Sequence, residues 1–309
     1  QYKKSLNDIE KVLNIEKNDY FPFENDFREL LRTFIQGCQN IEYIRKNKDE
    51  YESLERRLTL SHVQLCEQIL RNYKENIDLV GFHGQTIIHK PESEYSIQMG
   101  DARLLSQMLK KKVIHNFRQN DIKNKGSGAP LASIYHYNIS KNIKYSEPII
   151  FLNIGGISNI TYINKDILEA KDIGPGNVLI DDYIKKKTKK DYDIDGKFAS
   201  EGKIEQEIIK KTLEHEFYNA QDKHSFDRGD FDYSFVRGLD FKDAVATLTY
   251  FTASYLSEFF KNNYSDVSEI IVCGGGRNNI TLMNNLKQLT NKKLICIDEL
   301  GFDGNFIES

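Results

Sequence analysis

The chain has no tryptophan, and its four cysteines stand singly at Cys38, Cys66, Cys273 and Cys296, with no Cys-x-x-Cys pair and no histidine pair beside them. That spacing argues against a disulfide framework and a zinc site and fits a reducing, cytosolic compartment. No apolar run approaches the roughly 18 residues needed to span a bilayer. A secretory pattern of charged start, apolar stretch and small-residue cleavage site is also missing, so the expectation is a soluble, cytoplasmic protein with no membrane partner. Nor is there an excess of positive charge: Lys+Arg 43 against Asp+Glu 46 leaves -3. Without a basic footprint, no nucleic-acid partner is expected.

Apolar residues are also sparse, at 39% against roughly 45–50% in ordinary globular chains, with a mean hydropathy of -0.57. Core material is nevertheless present, because 18 Phe and 17 Tyr supplement Ile, Leu and Val. The surplus of Lys, Asn, Ile and Tyr reads as AT-rich coding bias. A length of 309 residues suits about two domains.

Residues 1–80 read as helical scaffold, with apolar residues at three- and four-residue spacing over 27–38 and 51–73. At residue 77 the pattern changes. Residues 78–82 read as a buried strand, with His83-Gly84-Gln85-Thr86 as the loop at its end. Strands are predicted over 95–98 and 112–116, and Gly100-Asp101 leads into a helix between them. From Ile143 a new unit begins, and the domain boundary is placed near residue 145, giving domains of 1–145 and 146–309. IIFLNIGGISNITYIN reads as two strands joined by Gly155-Gly156. KDIGPGN reads as a loop feeding a helix, 243–262 as a long helix, and EIIVCGGGRNN as strand, glycine loop and helix start. The short lysine run at 185–190 reads as a solvated helix face.

Three glycine-bearing turns carry the chemistry. Gly274-Gly275-Gly276 gives an unhindered backbone against which a nucleotide can lie, with tight strand–helix packing as the other reading. Asn153-Ile-Gly-Gly-Ile-Ser-Asn-Ile-Thr161 surrounds a second turn with amides and hydroxyls suited to phosphate or a metal-bound water. Asp172-Ile-Gly-Pro-Gly-Asn177 sets a carboxylate before a rigid turn, where it serves either as a proton acceptor or as the N-cap of the following helix. Asp181 and Asp182 read as solvated or magnesium-directed. In the first half, HGQT, QMGD and Phe117-Arg118 before Gly128-Ala-Pro-Leu131 suit a small molecule bearing hydroxyls and a carboxylate. Arg118 is the natural anion clamp.

HGQT, QMGDA, FRQND followed by GSGAPL, NIGGISNIT, DIGPGN, GGGRNN and GFDGNFIES stand in the order found in anhydro-N-acetylmuramic acid kinases. The chain resembles that family from about Phe21 onward. The resemblance implies an α/β, two-domain actin-like ATPase fold of the sugar kinase, Hsp70 and actin type, with ATP and substrate in a cleft between domains. It implies that ATP and water convert 1,6-anhydro-N-acetylmuramic acid into N-acetylmuramic acid 6-phosphate, in peptidoglycan recycling and amino-sugar metabolism. Asp172 would be the general base for the water attacking the anomeric carbon, and Mg2+ would bridge the phosphates, its protein ligands unassigned. Gly274, Gly275 and Gly276 would face the adenosine, with Asn278 among the nucleotide-binding residues. Gly155, Gly156 and Asn159 would face the phosphates, with Asn153, Gly174, Gly176 and Asn177 on the same nucleotide side. His83, Gln85, Thr86, Asp101, Arg118 and Glu308 would face the sugar and its lactyl carboxylate.

A homodimer belongs to the same set of implications. Against the family pattern, Asn116 replaces an Asp and His224 a Lys. A Gly-Thr-Ser-x-Asp-Gly phosphate loop has no counterpart between Gln1 and Tyr20, and a closing segment beyond Ser309 is not found. These departures set a second expectation beside the kinase: a catalytically deficient remnant that binds sugar or nucleotide.

Overall fold

The opening helices form where apolar residues recur on one face. In α1 (Asn25–Gly37) the buried Phe27, Leu31 and Phe34 make such a stripe, and in α3 (Lys48–Asn72) Leu54, Leu58 and Val63 do the same. The short α2 (Ile41–Lys46) lies between them, capped by the side chain of Asn40, which accepts from the Tyr43 N–H. The computed structural model describes residues 18–72, 77–165, 167–215, 226 and 228–307. The chain falls into two units that divide between Leu131 and Ala132.

In the first unit, β1 (Leu79–Gly81) pairs in parallel with β4 (Lys112–Ile114), and β2 (Gln85–Lys90) pairs antiparallel with β3 (Tyr95–Met99). The helix α4 (Ala102–Leu109) precedes β4, and α5 (Phe117–Lys123) follows it. One apolar cluster joins α1 and α3 to Phe82, Ile87, Ile88, Met99 and Leu105. Burying each such side chain contributes about 1.5–3 kcal/mol. The strand expected over 78–82 is present but not buried, since Leu79 is 49% exposed. Among the described residues its sheet gives it β4 alone as a neighbour, and Phe82, just past its end, takes the core position. Gln85 and Thr86 belong to β2 rather than to the expected loop.

The second unit is built on one five-stranded sheet: β5 (Ile149–Ile154), β6 (Ile157–Asn164), β7 (Ile167–Pro175), β8 (Glu269–Cys273) and β9 (Lys293–Cys296). The spatial order is β7-β6-β5-β8-β9. The first three strands are antiparallel, and β5, β8 and β9 run parallel. All six residues of β5 are buried, as expected of a central strand covered on both faces. Ile150, Leu152 and Ile154 pack with Leu256, Phe260, Leu282 and Leu286 of α10 (Phe241–Asn263) and α11 (Ile280–Thr290). Ile149 and Phe151 meet Tyr137 and Ile139 of α6 (Ser133–Ser140) on the other face.

That contact assigns α6 to the second unit, so the boundary expected near residue 145 falls inside it. The helices α7 (Val178–Lys187), α8 (Lys197–Ser200) and α9 (Gln206–Leu213) pack against the first half of α10 through Val178, Ile184, Ala199, Ile209 and Val245.

One local expectation is overturned here. KDIGPGN is not a loop up to its Gly-Pro-Gly: β7 runs through Asp172 to Pro175, because β6 supplies partners along its whole length. The N-cap of α7 is Asn177, so the alternative reading of Asp172 as that cap does not hold.

Candidate active site

The parallel strands β5 and β8 end side by side, with Asn153 opposite Cys273. Beyond them the three glycine turns close on one another. The Asn177 N–H donates to the Gly155 carbonyl at 2.8 Å, and the N–H groups of Gly176 and Val178 donate to that of Gly156 at 2.9 and 3.0 Å. The hairpin turn thus consumes three backbone donors at the start of α7. Only glycine fits at 176, where a Cβ would lie 2.3 Å from the Gly155 oxygen. Gly174, with φ +150, likewise makes room for the Tyr255 ring of α10. Burial of that phenol pushes its pKa up to about 12.

The third turn closes over the first. Gly274 has φ +79, and a side chain there would meet Asn153 Oδ1 and the Ile154 carbonyl. Gly276 lies against Ile154, whereas Gly275 is exposed. The Asn177 Nδ2 donates to the Ile154 carbonyl at 3.3 Å, tying the second turn to the same point. Asn278 is exposed at the end of the short helical turn after the triplet. The next residue, Asn279, caps α11 by accepting from the Leu282 N–H at 2.9 Å.

Across the sheet, Asp172 stands opposite Asn159, and Asn159 opposite Asn153. Directly opposed residues project from the same face. The row therefore places a carboxylate and two amides together, one strand apart each. Asp172 is half-buried, and its Oδ2 accepts from the Phe226 N–H at 3.2 Å, which fixes the carboxylate's orientation. Asn159 Oδ1 is buried and has no hydrogen-bond partner among the described residues. A carbonyl oxygen left in that state costs about 1–3 kcal/mol and calls for a donor or a cation.

Farther along the same face His136 stacks on Phe151 at 4.9 Å, and its Nδ1 lies 2.8 Å from Thr161 Oγ1. Burial holds its pKa down at about 3.

Sequence reasoning missed Arg277. Its side chain is 4% exposed; Nε donates to Asp298 Oδ2 at 2.6 Å, Nη1 to the Gly274 carbonyl at 2.9 Å and Nη2 to Asn305 Oδ1 at 3.2 Å. The guanidinium holds the Asp298 carboxyl below its ordinary range. It pins the third turn to the GFDGN segment, where a Cβ at Gly304 would collide with Arg277 Nε. An arginine directly after three glycines was the available signal, but its partners are remote in sequence.

In the first unit the structure brings His83 and Arg118 together. Arg118 Nε donates to His83 Nε2 at 3.1 Å, and Nη1 donates to the Gly128 carbonyl at 3.1 Å. Gln85 and Thr86 stand opposite Met99 and Gln98 in the neighbouring hairpin. Asp101 caps α4, with Oδ1 accepting from the N–H groups of Arg103 and Leu104 at 2.9 Å each. Its own N–H and that of Gly100 are held by Thr59 Oγ1 and Glu55 Oε1 of α3. Asn116, at the entrance to α5, has φ +59, a left-handed conformation that asparagine tolerates better than most residues. Glu308 and His224 lie outside the described residues.

Known proteins match this chain along almost its whole length. The family model for anhydro-N-acetylmuramic acid kinase (AnmK) matches residues 4–309. An anhydro-N-acetylmuramic acid kinase of Pelagibacter ubique (strain HTCC1062) is 39% identical, over 94% of this chain and 80% of that protein. One of Agrobacterium fabrum (strain C58 / ATCC 33970) is 34% identical, over 98% and 83%. One of Zymomonas mobilis subsp. mobilis is 37% identical, over 82% and 70%. The expected gaps at the two ends find no support in a match from residue 4 to residue 309. Among solved structures, the ethanolamine utilization protein EutJ from Carboxydothermus hydrogenoformans is similar at 13% identity and a TM-score of 0.39, over 77% of this chain and 69% of that one, too slight a likeness to bear on function.

Proposed function

The chain belongs to the anhydro-N-acetylmuramic acid kinase family, and from that premise we propose how its residues divide the work. The activity is that of a phosphotransferase: ATP-dependent opening of 1,6-anhydro-N-acetylmuramic acid by water, with phosphorylation of the released O6. The observation that carries the assignment of residues is the register Asn153–Asn159–Asp172 beside three interlocked glycine turns. It sets one oriented carboxylate beside turns whose glycines leave the backbone free of side chains.

Asp172 is the general base. With Oδ2 fixed by the Phe226 N–H, its carboxylate accepts a proton from the water that attacks the anomeric carbon, while O6 departs towards the γ-phosphoryl group. A phosphoryl transfer asks mainly for positioning and charge stabilisation, so one aimed carboxylate suffices on the protein's side. Gly275, exposed at the crest of the third turn, lies along the adenosine, and Gly155 and Gly156 line the phosphates.

The oxygen donors of the polar row suit Mg2+, which keeps several of its waters and binds through few protein ligands. Asn159 Oδ1, buried and without a partner among the described residues, would accept from such a water, with Asp172 next to it in register. When bound, the ion neutralises charge developing on the phosphates. Among the described residues no cluster of three or more His, Cys, Asp or Glu could hold a metal ion.

In the first unit, Arg118 takes the lactyl carboxylate, and His83, Gln85 and Thr86 surround the sugar. No helix among the described residues is long and apolar enough to cross a membrane. A cytoplasmic place in the recycling of cell-wall fragments goes with this reading.

The experiment is turnover in 18O-labelled water with ATP and the anhydro-sugar. The expected result is ADP and the 6-phosphate in equal amounts, with the label on the anomeric hydroxyl. Label in the phosphoryl group would refute the role given to Asp172.

A further inference from the structure

The contact between His83 and Arg118 determines more than proximity. A guanidinium has only donors and stays protonated, so the His83 Nε2 that receives Arg118 Nε–H at 3.1 Å must be the unprotonated ring nitrogen. The other nitrogen, Nδ1, lies 2.8 Å from the Gly84 carbonyl, which only accepts, so Nδ1 carries the proton. Both neighbours specify the same neutral tautomer.

The far side of the guanidinium is equally constrained. Nη1 donates to the Gly128 carbonyl, and Gly128 is itself held by its N–H to Asp121 Oδ2 at 2.7 Å. With φ +66, and a Cβ position 2.8 Å from Ile122, Gly128 has little freedom to shift. The plane of Arg118 is thus set by an imidazole on one edge and a rigid turn on the other.

We propose that His83 is a positioning residue for Arg118: its neutral ring, braced on the Gly84 carbonyl, orients the guanidinium that takes the sugar's carboxylate, and protonation of the ring undoes that orientation. This rests on the reading in which Arg118 binds the carboxylate. A proton on Nε2 would set donor against donor and cation against cation, so the clamp fails in acid.

The charged neighbours agree with this arrangement. Burial, and to a lesser degree the charge of Arg118 of α5, lowers the ring's pKa from its ordinary 6.5. Asp121 of α5 is engaged with the Gly128 N–H, and Asp101 with the first amides of α4. His62 of α3 packs on the Phe82 ring at 5.0 Å. His115 stands between β4 and α5.

The test is KM and kcat for the anhydro-sugar between about pH 5 and pH 8, in the parent chain and in His83→Gln, His83→Leu and Arg118→Ala. An analogue lacking the lactyl group serves as the control for folding. In the parent, KM should climb towards about tenfold per pH unit below the depressed pKa of His83, with kcat changing much less. His83→Gln, whose side-chain oxygen accepts but cannot be protonated, should restore a KM near the parent's neutral value and remove the acid rise. His83→Leu should raise KM at every pH. The analogue's KM should show no acid rise in the parent and no response to Arg118→Ala, and the His83 variants should shift it only by an amount that does not vary with pH.

If His83→Gln keeps the acid rise, or His83→Leu binds as the parent does, the positioning role is overturned. If Arg118→Ala leaves KM unchanged, the carboxylate reading fails first and takes this inference with it.

Discussion

The two sets of candidate residues are made in opposite ways. Around β5, β7 and β8 the site is made of backbone: carbonyls of one glycine turn accept the amides of another, and side chains are excluded at Gly174, Gly176, Gly274 and Gly276. In the first unit it is made of side chains, with His83, Arg118 and Asp101 reaching their partners from small, partly exposed elements. A backbone-built site is inseparable from the fold that carries it. A side-chain-built site can lose function while the fold stands.

The largest expected effect is an acid lability greater in the second unit than in the first. His136 has its pKa lowered from 6.5 to about 3, so between those values the unfolded chain binds a proton that the folded one refuses. Stability is then full above about 6.5 and falls as pH drops towards 3, at about 1.4 kcal/mol per unit of displacement. Hydrogen exchange followed peptide by peptide should show residues of β5, β6 and α6 losing protection before those of α1 and α3. The reverse order would break the contrast between the units.

Next in size is Gly176→Ala, which drives a Cβ into the Gly155 carbonyl and should cost about 3 kcal/mol, read from the denaturant midpoint. A cost near zero would mean that the turns are not mutually locked. Smallest is Arg118→Ala, whose effect on stability should stay within about 1 kcal/mol while KM rises. A collapse of the fold in that variant would erase the distinction between the two sites.

What the sequence made legible follows the same division. Local periodicity revealed α1, α3 and α10, and the glycine pair revealed the β5–β6 hairpin, because those signals are carried by neighbours in the chain. The end of β7 was hidden: Gly-Pro-Gly reads as a turn, and only the presence of β6 alongside makes Asp172 a strand residue. Exposure of Leu79 was hidden too, since an apolar triplet does not announce how many strands will flank it. The Arg277–Asp298 pair and the Asn153–Asn159–Asp172 row are products of register between distant segments, which no local pattern encodes. The motif glycines were visible from the start, but their reason was not. At Gly174 and Gly176 the structure shows packing against Tyr255 and Gly155.

In the proposed reaction the carboxylate of Asp172 is the base. Its most direct measurement is the Asp172→Asn chain, assayed for ADP release with the anhydro-sugar and, separately, for ATP binding by calorimetry. Loss of turnover by a factor of about 1,000 or more, with ATP affinity within about threefold of the parent, is the predicted result. Turnover within about tenfold of the parent would contradict it.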